Sequence, residues 1–299
     1  MAIGSNKIVM LASVRPQISR FDKAFKEDYS RNYHLTIRLS PDGFYLVVFS
    51  PEKHRYLGLE TYQFKKIDEE VKLAAALDEI IMFRQWIAYP FHSVLVIVDH
   101  IYNTIVPSPL YEEKEKGTYL AFNQQYRDNS RINSDHLKTS DAYNVYYLSN
   151  SLVEKIKDLW ANAHIVHLQS VLLESLLITN RNKPTLNTLF VHVRDESFDM
   201  VVLKDEKLQF SNNFRFNTPE DFIYFILFAM DQLRLNPESA QLIFSGNIDK
   251  GSAMYEISYK YIRNISFAGR NNAFEYSYML EELPVHKYFI LYNALQCEL

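Results

Sequence analysis

Glycine is scarce in this chain, at seven of 299 residues. A function that needs backbone amides crowded around a phosphate must therefore rest on very few positions. Cysteine is scarcer. The single one, Cys297, excludes a disulfide framework within the chain and fits a reducing compartment. No histidine-containing motif surrounds it, so its thiol is expected to be inert. Long apolar runs are missing as well. Ile8–Ala12 is shorter than the ~7–15 residues of a signal-peptide core. The longest unbroken run, Phe222–Met230, falls far short of the ~20 residues of a membrane span. Excess positive charge is also lacking. The net charge is −4, and the densest basic run is Lys65-Lys66, which argues against nucleic acid or an anionic membrane as partner. The chain reads as soluble and cytoplasmic.

What is present is a hydrophobic content of 47 %, enough for a well-packed core, over a length of about two domains. One pattern occurs twice. Leu35–Phe49 alternates apolar and polar residues on both sides of a turn, and Leu189–Leu203 does the same. At an offset of 154 (Leu35 to Leu189), Ile37 falls on Val191, Leu39 on Val193, Phe44 on Phe198, Leu46 on Met200 and Val48 on Val202. Each copy predicts two antiparallel strands joined by a tight turn. After each copy come a third strand, a helix and a buried strand. The third strands match at an offset of 152 (Phe64 to Phe216), a drift that a short slip at the turns would explain. Duplication of one unit is the simplest source of this order.

The expected division is an N-terminal arm over 1–32, a first domain over 33–183 and a second over 184–299. The polar stretch Asn180–Pro184 marks the boundary between the two domains. Residues 126–142 are polar and nearly free of aliphatic side chains, and are expected to be a mobile loop. Thr218 is placed to cap a helix with Pro219 at its first position. That helix is apolar nearly all round and is expected to be buried on several sides.

This order of elements resembles the actin-like ATPase superfamily, an α/β fold of two ribonuclease-H-like domains. Tyr33–Ser40 with Asp42-Gly43-Phe44, and the ending Leu283–Phe289, are similar to a bacterial family catalogued only as a domain of unknown function. The resemblance implies the fold and no activity. In the superfamily an Asp ends the first strand of each domain and holds Mg²⁺, usually through water. A glycine follows within two residues, and a second glycine-rich turn late in the second domain receives adenosine.

Those motifs are mostly absent here. Arg38 and Ser40 stand at the first Asp and Gly positions, and His192 and Arg194 at the second pair. The adenosine turn reads Ser245-Gly246-Asn247, with a single glycine. Asp42-Gly43 would restore the first loop after a two-residue shift, but it is also a favoured two-residue hairpin turn. Asp195-Glu196-Ser197 places two carboxylates where a phosphate would sit; repulsion makes a poor cradle unless Mg²⁺ intervenes. Asp99 ends a buried strand where, in sugar kinases of this fold, an Asp takes the proton of the substrate hydroxyl. His192 on a core strand reads as a hydrogen-bonded core histidine. His164 and His167, on a predicted strand, would face opposite ways.

Two functions are weighed. The favoured one is a binding or scaffold protein that keeps the actin-like fold after losing most nucleotide-contacting groups. Its 21 tyrosines and 20 phenylalanines would supply both core and a partner surface. A protein partner is expected, and a homo-oligomer is left open. The alternative is an ATP-dependent kinase or ATPase using Asp42 or Glu196 for Mg²⁺ and Asp99 as base.

Overall fold

Strand pairing follows the repeated pattern residue by residue. The computed structural model describes residues 15–64, 70–181, 187–205 and 207–299. Ile8–Ala12, Lys65-Lys66 and most of the expected domain boundary lie outside them. In the first half, β1 (Ile18–Phe21) is followed by β2 (His34–Ser40), β3 (Gly43–Ser50), β4 (Arg55–Gln63), helix α1 (Glu70–Phe83) and β5 (Ser93–Val98). β2 pairs antiparallel with β3, Leu39 opposite Phe44, and parallel with β5, Leu39 beside Val98.

An insertion follows. β6 (Asn103–Pro107), the short helix α2 (Lys116–Ala121), β7 (Ser130–Leu137) and β8 (Ala142–Ser149) make a three-stranded sheet in the order β6-β8-β7. The stretch expected as a mobile loop thus contains β7. Its backbone pairs with β8 along its whole length, from Ser130–Ser149 to Leu137–Ala142, which few apolar residues on β7 would have signalled. Helix α3 (Asn150–Leu159), β9 (His164–His167) and helix α4 (Leu168–Asn180) complete this half.

The second half repeats the plan with β10 (Thr188–Val193), β11 (Ser197–Lys204), β12 (Lys207–Arg215), helix α5 (Pro219–Gln232), β13 (Gln241–Gly246), helix α6 (Ala253–Tyr261) and β14 (Asn264–Phe267). Val193 pairs with Phe198 as Leu39 does with Phe44. The six apolar pairs of the repeat all lie in the two equivalent cores between sheet and helices. A β-bulge occurs between Val48 and Phe49 and at the same place, between Val202 and Leu203, in the second copy. The offset change has the expected cause: Ser50 pairs with Arg55, but Lys204 pairs with Lys207, so the second turn is two residues shorter. Thr218 caps α5 through a capping box with Asp221.

Three further features depart from the sequence reading. Ile18–Phe21, expected within an arm, is a strand antiparallel to β4. The first hairpin turns through Pro41-Asp42, with Gly43 paired to Ser40 inside the ladder. A Cβ on Gly43 would lie 2.4 Å from the Tyr62 carbonyl oxygen, so this glycine serves strand packing rather than the turn. Helix α5 is buried on its sheet side, yet Tyr224 and Phe228 are 61 % and 50 % exposed.

The two halves share a core. Leu168–Leu177 of α4 are all buried, packed with Phe190, Val201 and Leu203 of the second sheet and Ile97 and Val166 of the first. The C-terminal segment returns to the first sheet. β15 (Glu275–Tyr276) pairs parallel with β4, and α7 (Phe289–Asn293) brings Leu291 and Tyr292 onto Val47 and Tyr56. The Tyr56 hydroxyl donates to the Tyr292 carbonyl at 3.0 Å. Among the described residues no helix is long and apolar enough to cross a membrane.

Candidate functional site

Both first hairpins and the end of β5 converge on the cleft between the halves. β5 ends beside β2, the Asp99 amide donating to the Leu39 carbonyl at 2.9 Å. The duplicate position is Asn247, whose amide donates to the Val193 carbonyl at 2.7 Å. Asp99 thus holds a fixed place that the repeat defines twice.

Its carboxylate is gripped from both halves. Arg38 of β2 donates through Nε to Oδ2 at 2.8 Å, and its Nη2 lies 2.7 Å from the same oxygen. Arg194, at the end of β10, donates through Nε to Oδ1 at 2.6 Å. Arg194 Nη2 reaches on to Asp199 Oδ2 of β11 at 2.5 Å. All four side chains are buried. Burial alone would raise the Asp99 pKa, but Arg194 and Arg38 override it and hold the carboxyl well below its usual range. Burial likewise opposes the charge on Arg38, and Asp99 restores it. At Asp199 burial outweighs Arg194 and raises the carboxyl's pKa; in the Arg38–Asp99–Arg194 trio, removing one charge leaves the others uncompensated.

A cavity of about 470 Å³ lies against this cluster. Leu39, Leu73, Val98, Leu148 and Leu152 give it an apolar floor. Ser40, Asp42, Asp195, Glu196 and Ser197 line it from the two hairpins, with Arg127, Arg194 and Arg215. The structure therefore brings together Asp99, both hairpin tips and the cavity. Ser245, Gly246 and Asn247 do not line it. Ser245 Oγ is 3.0 Å from His192 Nδ1, and Asn247 Nδ2 donates to Asp195 Oδ1 at 2.6 Å. Gly43 is inside the β2–β3 ladder, and Ser40 Oγ donates to Asp42 and to the Gly43 carbonyl.

Two buried histidines, His192 and His167, and the part-buried His100 surround the cluster. His192 packs in the core beside Arg194 and Arg38; burial first, then these cations, push its pKa well below the ordinary value. His167 caps α4, its Nδ1 accepting from the Gln169 amide at 3.0 Å, and its Nε2 is 2.9 Å from the His100 carbonyl oxygen. Burial lowers the His100 pKa to about 4.

Mg²⁺ with a nucleotide is the ligand this fold suggests, and the residues present do not fit it. Where the resemblance would put the metal-binding Asp of each half stand Arg38 and His192. The amides of Asp99, Arg194, Phe216 and Asn247 around the tips are already given to backbone carbonyls. Gly246, at φ +85°, would place a Cβ 2.2 Å from the Val193 carbonyl oxygen, so its bare backbone is occupied by β10. Among the described residues, no group of three His, Cys, Asp or Glu side chains converges as metal ligands.

Sequence reasoning singled out Asp99 and both hairpins, and noted that Arg38 and Arg194 had replaced the expected groups. It missed that these arginines meet on Asp99. The signal was present as two cations at equivalent hairpins and one carboxylate on the strand between them.

A family model described as "Protein of unknown function (DUF3822)" matches residues 22–265. No curated protein matches the chain. Among solved structures, the chain is similar to a Bacteroides thetaiotaomicron protein described as having an actin-like ATPase fold and unknown function. The identity is 22 %, with a TM-score of 0.73 over 82 % of this chain and 93 % of that one. It is also similar, at 12 % identity and a TM-score of 0.58, to a structure described as the PilM–PilN type IV pilus biogenesis complex, over 89 % of this chain and 98 % of that one. The fold is the actin-like ATPase fold, with mixed sheets flanked by helices.

Proposed function

The chain belongs to that family of proteins of unknown function, and from this premise we propose that it is a non-catalytic actin-like protein, a scaffold that binds another protein. Its halves are bridged by its own charges where relatives of this fold would place Mg²⁺ and phosphates. The observation that carries this reading is Asp99 held between Arg38 and Arg194, one from each half. A kinase or ATPase reading would need Asp99 as general base. A carboxylate saturated by two guanidiniums and held strongly acidic has little affinity for a substrate proton. The hairpin carboxylates Asp42, Asp195 and Glu196 would repel phosphates unless a cation stood between them. That a solved structure of the same fold is of a complex, PilM with PilN, is consistent with a partner-binding role. A cytoplasmic location is part of the proposal and is supported by the single cysteine, which fits a reducing compartment.

Melting with and without Mg·ATP tests it. A ligand at ~100 times its Kd stabilises by about 2.7 kcal/mol, several degrees for a chain of this size. No shift with millimolar Mg·ATP or Mg·ADP is expected. An upward shift that saturates with nucleotide would overturn the reading.

A further inference from the structure

Duplication allows one half to be compared with the other, and they differ at one sheet edge. β12 is the counterpart of β4: Phe198 pairs with Phe214 as Phe44 pairs with Tyr62, and the bulges coincide. The outer edge of β4 is covered. β1 pairs with Gly58–Thr61, the Gln17 amide donates to the Thr61 carbonyl at 2.9 Å, and the Asp22 amide to the Leu57 carbonyl at 2.7 Å. β15 covers Arg55-Tyr56. Seven of the nine residues of β4 are buried.

β12 ends its sheet, and none of its nine residues is buried. The Phe216 amide bonds inward to the Glu196 carbonyl. By strand alternation, the amides and carbonyls of Ser211, Asn213 and Arg215 point outward. Among the described residues only the Asn213 amide finds an acceptor there, its neighbour's Asn212 Oδ1 at 2.9 Å. Rings lead outward from this edge: Phe214 stacks on Phe225, Phe225 meets Tyr224, and Tyr224 stacks on Phe228. A bare edge of this length is a template for another strand, and proteins normally blunt or cover one.

We propose that the outer edge of β12 docks an extended segment of another protein, which joins the sheet antiparallel as a sixth strand. The first half supplies the pattern, since the same edge there is filled by an antiparallel extended segment. Charge selects the occupant. β12 carries Lys207 and Arg215 near its ends and no acid. Antiparallel self-pairing about Ser211 would set Lys207 against Arg215 twice, and like charges opposite one another destabilise a sheet. The fitting strand therefore has acidic ends and alternating apolar residues, one face of which lies along Tyr224 and Phe228. This edge meets the cleft only at Arg215, which also lines the cavity, and a chain that bound nucleotide would carry the same edge.

The test uses the full chain and two capped nine-residue peptides of alternating valine and threonine, one ended by glutamates and one by lysines. The acidic peptide should bind saturably, at least about tenfold more tightly than the basic one. It should slow amide exchange across 209–216. Ser211→Pro with Asn213→Pro removes outward amides and keeps the ladder to β11, at the loss of the Gln169–Ser211 and Asn213–Ile101 side-chain hydrogen bonds; this variant should lose the peptide while melting within several degrees of the parent. Failure of the acidic peptide to bind, equal binding of both, or binding retained by the proline variant overturns the proposal. So does a dimer of the parent that the variant abolishes, which would assign the edge to a second copy. Exchange of the unliganded parent checks the bare edge without any variant: segment 209–213 should exchange much faster than its counterpart 57–61, and equal protection contradicts the proposal.

Discussion

Asp99 receives Arg38 and Arg194, and the electrostatic field of that trio reaches its neighbours. His192, His167 and His100 sit within it and are kept neutral by burial together with nearby cations. On unfolding they regain an ordinary pKa near ~6.5. Below that pH the unfolded chain binds more protons than the folded one, so stability rises with pH. The contribution is complete above pH ~6.5 and is lost as pH falls toward the folded values, about 4 for His100. Asp99 does not add to this slope above pH ~4, because its carboxyl is ionised in both states. Thermal melts should therefore fall by several degrees between neutral pH and about pH 5. His192→Asn should flatten part of that slope. A profile that stays level across this range would show that these imidazoles are protonated in the fold.

At the level of elements, Gly43 and Gly246 are packing residues. Gly246 ends β13 against β10, in a backbone conformation that L side chains rarely adopt. Gly246→Ala should cost about 2 kcal/mol or more in chemical denaturation, from left-handed strain and the Val193 contact. Gly251→Ala, with open space around its Cβ position, should be close to neutral. Equal effects would mean that the Gly246 turn is not held against β10. The hairpins themselves were legible in the sequence, because alternation over many residues fixes both strand and register. Even the shortened Lys204–Lys207 turn fits the offset change. β1 was not legible, since four residues of mixed character carry no period. β7 was hidden by its polarity, and its pairing with β8 is made by backbone. The exposed Tyr224 and Phe228 were masked by their position inside an apolar run.

For the whole molecule, the sequence showed two copies of one unit but not how they are tied together. Helix α4 between the sheets, the C-terminal return to β4 and the Asp99 bridge are all contacts between residues far apart in the chain. Arg194 and Asp99, 95 positions apart, have no local signature. If those charges do the work that Mg·nucleotide does elsewhere in this fold, the relation between the halves is set by the chain alone. The direct measurement is single-molecule FRET between dyes at Met82→Cys on α1 and Tyr259→Cys on α6, in a Cys297→Ser background. One narrow distance distribution is expected, unchanged by about 5 mM Mg·ATP or Mg·ADP. It should broaden when Asp99→Ala leaves two buried guanidiniums unpaired. A nucleotide-dependent change of distance in the protein that retains Asp99, or a distribution indifferent to Asp99→Ala, would contradict it.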